Sequence, residues 1–181
     1  MSFNATVNPK AQTKLFKIYA DVSTDGSTPK WELQGRGIES WTIDENQDVK
    51  KKTDVLGYVD MERGTPQPTQ SGVSVKVRKG SVFAEMLFDA WYTGDKSKLD
   101  KVKLLQKFEF VDGDSETTCK ARLEEEVMIA INSFTGESGG YLGFNIDIHY
   151  ANKRTLGTMP KVDGETITFT PTPAATASTD E

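Results

Sequence analysis

A mainly β fold is predicted, an antiparallel β-sandwich or barrel with one flanking α-helix, and three observations predict it. Apolar residues alternate with polar ones along most segments, one segment alone recurs at helical spacing, and Gly-, Pro- and Asp-rich stretches separate the alternating runs. At 181 residues, 36% of them apolar, the chain can bury a single substantial core, so residues 1–171 are expected to form one domain.

The elements follow in order. Phe16, Ile18, Ala20 and Val22 share one face of a first strand, and Ser-Thr-Asp-Gly26-Ser-Thr-Pro turns the chain into a second at Trp31 and Leu33. Gly35 and Gly37 interrupt that strand where large residues would recur, which predicts a bulge or a close backbone approach. Trp41 and Ile43 resume on the opposite parity. Residues 44–57, Asp-Glu-Asn-Gln-Asp-Val-Lys-Lys-Lys-Thr-Asp-Val-Leu-Gly, form a polar arm with almost nothing to bury and too long for a hairpin turn. Compact domains seldom keep such a segment without a purpose, so a partner is expected to order it. Tyr58 to Arg63 then reads as a short strand with Val59 and Met61 on one side, ended by Gly64-Thr-Pro-Gln-Pro68. Val73, Val75 and Val77 against Ser74, Lys76 and Arg78 make the cleanest half-buried strand.

Helical spacing appears once, in Val82, Phe83, Met86, Leu87, Ala90 and Trp91. Ser81 stands where an N-cap belongs and Gly94 where a left-handed C-cap belongs. Phe83, Leu87 and Trp91 are assigned to the core, because an apolar stripe of this period packs a helix onto a sheet. Past the polar stretch Asp95 to Asp100, Leu104, Phe108 and Phe110 lead into a turn at Val-Asp-Gly113-Asp-Ser. A long strand follows, with Cys119, Ala121, Leu123, Val127, Ile129 and Ile131 on one face and Lys120, Arg122, Glu124 and Glu126 on the other. Thr135-Gly-Glu-Ser-Gly-Gly140 turns the chain into Leu142, Phe144, Ile146, Ile148 and Tyr150, and a last strand runs from Thr166 to Thr170. Residues 172–181 cannot build a core and are expected to be disordered.

Charge and motifs exclude several function classes. A net charge of −5, from 27 acidic and 22 basic residues, argues against gripping nucleic acid through its phosphates. Cys119 is the only cysteine, so no internal disulfide or cysteine-rich metal site is expected. The start of the chain has no charged and apolar leader pattern, and no stretch approaches a membrane span, so a soluble protein without membrane partners is expected. Gly136-Glu-Ser138-Gly-Gly140 fits the nucleophile-elbow pattern, with Asp147 and His149 downstream. An elbow joins a strand to a helix, however, and this segment joins two strands, so it reads as a hairpin. His149, the single histidine, cannot anchor a common metal site, and Asp112, Asp114 and Glu116 lack the rest of a calcium loop. Lys50, Lys51 and Lys52 are bracketed by Glu45, Asp48 and Asp54, which suits a solvated arm. No catalytic, cofactor or metal site is expected, and the residues do not describe an enzyme.

The order of these parts resembles the major tail tube protein of long-tailed (siphovirus-type) bacteriophages. The resemblance runs from about Lys14 to Pro171. It rests on the strand pair, the arm from Trp41-Thr-Ile-Asp-Glu-Asn-Gln-Asp to Asp54-Val-Leu-Gly57, the valine strand, the helix from Ser81 to Trp91, the meander, and a Gly157-Thr…Ile-Thr-Phe-Thr-Pro171 finish. It implies a β-sandwich shared with the tube of type VI secretion systems. It further implies hexameric rings that stack into a channel for DNA, and placement in a virion tail assembled in the host cytoplasm. Tape measure and tail terminator proteins would be partners, and the immunoglobulin-like domain of some members is not expected. On this reading the arm residues Asp48, Val49, Lys50, Lys51, Lys52, Asp54, Val55 and Leu56 bridge subunits or rings. Asp60, Glu62, Glu124 and Glu126, taken from polar strand faces, are candidates for an acidic channel wall that passes DNA without holding it. A monomeric binding module such as an adhesin or decoration protein, the tube of a contractile system, and a hydrolase using Ser138 are the alternatives.

Overall fold

The computed structural model describes residues 3–4, 12–23, 28–34, 42–136, 140–164 and 166–173. Gly26, Gly35, Gly37, Trp41, Ser138 and residues 174–181 lie outside them, and so do the expectations attached to those positions. The chain is mainly β, with antiparallel strands and one helix. Six strands form the first sheet, in the order β10 (Thr170–Pro171), β9 (Lys153–Pro160), β7 (Thr118–Thr135), β6 (Val102–Asp112), β1 (Phe16–Asp21) and β2 (Trp31–Gln34). The far half of β7 also pairs with β8 (Gly143–His149), which pairs with β5 (Thr69–Lys76). A separate two-stranded ribbon joins β3 (Val49–Thr53) to β4 (Val59–Arg63).

Long strand β7 is the corner of the molecule. Its first half lies between β6 and β9, and its second half, from Met128, pairs with β8. Between Glu124 and Val127, β7 spends one residue more than β6 does between Leu104 and Val102, and Glu126 takes φ 56°. That bulge reverses the parity of the strand. The single apolar face expected from Cys119 to Ile131 is therefore two faces: Cys119, Ala121 and Leu123 join one core, whereas Val127, Ile129 and Ile131 join another.

The larger core lies between the inner sheet faces and helix α1 (Val82–Thr93), with Ala20, Leu104, Val75, Ile129, Phe144 and Ile146 among its buried residues. The Ser81 hydroxyl accepts from Ala84 N at 3.3 Å, and Gly94 ends the helix in the left-handed region at φ 77°. Glu32 of β2 reinforces the start, accepting from Ser81 Oγ at 2.8 Å and Phe83 N at 3.0 Å, where a carboxylate also opposes the positive end of the helix dipole. Phe83 and Leu87 are fully buried, but Trp91 is 45% exposed. It lies in the last turn at the margin of the buried stripe, its ring 4.8 Å from that of Phe134, so the expected core position is a half-covered one.

On the outer face of the first sheet sits a second core of Tyr19, Leu105, Cys119, Ala121 and Met159, covered in part by Ile167 and Phe169. The segment leading to β10 crosses the sheet close enough that a Cβ on Gly157 would stand 2.6 Å from the Phe169 ring. Its hold is polar as well. Lys107, with no exposed surface, lies 2.6 Å from Asp163, 3.0 Å from Glu109, and donates to the Lys161 carbonyl at 2.9 Å. Two expectations change here: β9 is a full strand, and the last strand is only Thr170–Pro171.

Candidate assembly surface

Five residues of the predicted arm, Val49–Thr53, are strand. Residues Val49–Thr53 pair with Val59–Arg63, so the short strand at Tyr58 to Arg63 belongs to the arm and not to the body, and all ten residues are exposed. The turn between them is closed locally. Asp54 Oδ1 accepts from Leu56 N at 2.8 Å and Tyr58 N at 2.9 Å, and Gly57 supplies the positive φ of 84° that the return requires. At the tip Val55 is 103% and Leu56 79% exposed, an apolar end held out in solvent.

Registry gives the ribbon two unlike faces. Val49 opposite Arg63, Lys51 opposite Met61 and Thr53 opposite Val59 occupy one face; Lys50 opposite Glu62 and Lys52 opposite Asp60 occupy the other. The second face neutralises itself, with a Lys52–Glu62 ion pair. The first carries apolar side chains and two cations, none of them covered. Sequence reasoning missed this pattern because Lys51 interrupts the apolar face and disguises the period-2 alternation on either side of Asp54-Val-Leu-Gly57.

The base of the ribbon is fastened to one end of the body. Asp44 and Thr69 exchange backbone bonds of 2.8 and 2.9 Å, Gln67 N donates to the Glu45 carbonyl at 3.1 Å, Tyr150 N donates to the Pro68 carbonyl at 3.0 Å, and the Asn152 amide donates to the Pro66 carbonyl. The part of the arm that projects beyond these anchors is thereby the ribbon itself.

Four acids predicted to share a channel wall do not share a surface. Asp60 and Glu62 lie on the charged ribbon face among lysines. Glu124 is 1% exposed, which corrects its assignment to a solvated face: through Leu104 and Ala20 its strand face is continuous with the larger core. Arg122 Nε and Arg154 Nε stand 2.8 and 3.5 Å from Glu124 Oε1, yet among the described residues neither carboxylate oxygen has a hydrogen bond. Burial pushes this carboxyl above its ordinary value against the pull of the two arginines. Glu126, exposed at the bulge, is held below its ordinary value by the hydrogen bond from Lys153 at 3.1 Å.

The other chemistry-bearing residues are committed to structure. Asp147 accepts from Gly72 N at 2.7 Å and so pins the bulge of β5, while His149 is exposed on the same strand. Asp112 receives Lys161 Nζ at 2.5 Å. Among the described residues no cluster of His, Cys, Asp and Glu could hold a metal ion, and no helix is long and apolar enough to cross a membrane. An open groove of about 520 Å³ between α1 and the start of β6 is lined by Glu85 and Asp89 on one side and Lys98, Lys101 and Lys103 on the other.

No family model and no curated protein matches the chain. Among solved structures it is similar to the sheath/tube terminator of an extracellular contractile injection system in the extended state, at a TM-score of 0.49 and 12% identity over 81% of this chain and 94% of that chain. It is also similar to the sheath-tube complex of the same kind of system (0.49, 14%, 88% and 99%) and to the tube-terminating cap of the anti-feeding prophage (0.47, 16%, 81% and 90%). All three lie below a TM-score of 0.5 and carry no argument about what this chain does.

Proposed function

We propose that the chain is a structural subunit of a phage tail, one that polymerises as stacked hexameric rings into a tube through which DNA passes. The exposed ribbon carries this reading. An isolated two-stranded ribbon is at best marginally stable in water, and this one leaves Val49, Val59, Met61, Val55 and Leu56 uncovered, a design that makes sense when another subunit covers them. Open edges add to it. Among the described residues β2 pairs only with β1, and β5 pairs only with β8 apart from the Asp44–Thr69 bridge, so neighbouring copies could continue both sheets. The net charge of −5 suits a wall that repels phosphates, and tape measure and terminator proteins would meet the inside and the end of such a tube. In this reading the protein has no catalytic role.

Sizing chromatography and negative-stain microscopy over a rising concentration series test it. Rings or tubes are expected above a threshold concentration. A monomer at every concentration would favour a binding module that displays its ribbon to a different partner.

A further inference from the structure

The last two turns of α1 present Phe88, Trp91 and Tyr92 to solvent. Phe88 and Tyr92 stack at 5.9 Å and 10°, Trp91 rests 4.8 Å from Phe134, and Phe134 rests 4.8 Å from buried Phe144, so the rings form a ridge supported from the core. Exposed aromatic clusters on a rigid base are typical of docking surfaces. The charges that α1 adds are acidic only: it carries Glu85 and Asp89 and no basic residue.

The uncovered ribbon face has the opposite character. Its charges are Lys51 and Arg63, set among Val49, Val59 and Met61. A cation over an aromatic ring is attracted by the ring's electron-rich face, and Glu85 beside the ridge adds to that attraction, whereas Asp89 is already paired with Lys98 at 3.1 Å.

Placement says which copy supplies the ribbon. It leaves the body at the Thr69 end of β5, whereas the ridge stands at the other end, where Phe134 pairs with Phe144 and Phe144 with Val75. Those ends are separated by about 20 Å of strand, and the exposed ribbon does not fold back over the body. Two unlike patches on opposite ends of one molecule make a head-to-tail contact, which extends from copy to copy unless its rotation closes it into a ring.

We propose that the apolar, cationic face of the β3–β4 ribbon docks on the Phe88–Trp91–Tyr92 ridge of a second copy of this chain, joining copies end to end. The inference rests on the self-assembly reading and assigns its axial contact. Cross-linking in assembled material tests it, with buried Cys119 silent. Met61→Cys mixed with Tyr92→Cys under mild oxidation is expected to form disulfide-linked pairs at least tenfold faster than Glu62→Cys, on the opposite ribbon face, mixed with Tyr92→Cys. The double variant Phe88→Ser with Tyr92→Ser, altered at exposed positions only, is expected to melt like wild type while its assembly threshold rises at least tenfold. Equal cross-linking rates in material that forms tubes, or an unchanged threshold in the double variant, would overturn this contact and leave self-assembly standing. A wild-type protein that never assembles would remove both.

Discussion

Two acids, Asp163 at the surface and Glu124 in the core, show opposite effects of environment on a carboxyl group. Burial alone would raise Asp163, but hydrogen bonds from Lys107 and Lys17 and the hydroxyl of Tyr19 at 3.0 Å outweigh it and hold the carboxyl below its ordinary value. Its contribution to stability is therefore present above the unfolded value of 3.8 and lost as pH falls through the lower folded value. Breaking a fully buried pair costs roughly 3–5 kcal/mol, but here only Lys107 is buried and Glu109 still faces it, so Asp163→Asn is expected to cost about 2 kcal/mol at neutral pH. That deficit should shrink in acid, as urea titrations at several pH values would reveal. Glu124 has the reverse sign: its folded value lies above 4.5, so the native state holds the proton more tightly and stability is lost as pH rises through that interval. Glu124→Gln is expected to gain stability relative to wild type as pH rises above the ordinary value of 4.5. A difference that stays constant over that rise would mean the arginines fully compensate the buried charge. Neither site was legible in advance. Alternation placed Glu124 with Lys120 and Arg122 on a polar face, and nothing in the spacing reveals that this face also meets Leu104 and Ala20.

At the scale of elements, legibility follows how local the cause is. The helix was readable from Ser81 to Gly94 because its caps and its period lie within its own sequence. Strand β1, the alternation within β7 and the run into β8 were readable for the same reason. The bulge at Glu126 was not, because a register shift is decided by the opposing strand. Strand β9 was hidden by Lys153, Arg154 and Gly157, and the ribbon by its three consecutive lysines. Burial at the end of a helix is equally a property of its neighbours, which is why Trp91 reads as core in sequence and lies half exposed in space. Leu87→Ala, at a fully buried position, is expected to cost about 3–4 kcal/mol, whereas Trp91→Ala is expected to cost about 1–2 kcal/mol. Denaturant unfolding of the two variants checks the order. A larger loss at Trp91 would show that its ring is better covered in the free subunit than its exposure indicates.

For the whole molecule, stability and association are placed in different parts of the chain. Both cores are built from the body's sheets, α1 and the crossing segment, and no residue of the ribbon belongs to either. The ribbon costs conformational entropy to order and returns little burial in the isolated subunit. Association can repay that cost by covering its apolar face, which couples ordering of the arm to assembly. The anchors at Asp44, Glu45, Pro66 and Pro68 would survive removal of the ribbon, because they bond to Thr69, Gln67, Asn152 and Tyr150 and not to the strands beyond. Replacing residues 49–63 by a Gly-Gly turn is therefore expected to leave the melting temperature of the monomer within a few degrees of wild type, while rings or tubes no longer stack into longer particles. Calorimetry on dilute protein reads the first effect and negative-stain microscopy of concentrated protein the second. Normal tubes from the ribbonless chain would place the assembly contacts on the open edges of β2 and β5 alone. A collapse of the monomer's melting temperature would instead make the ribbon a structural part of the body, contrary to the exposure of every one of its strand residues.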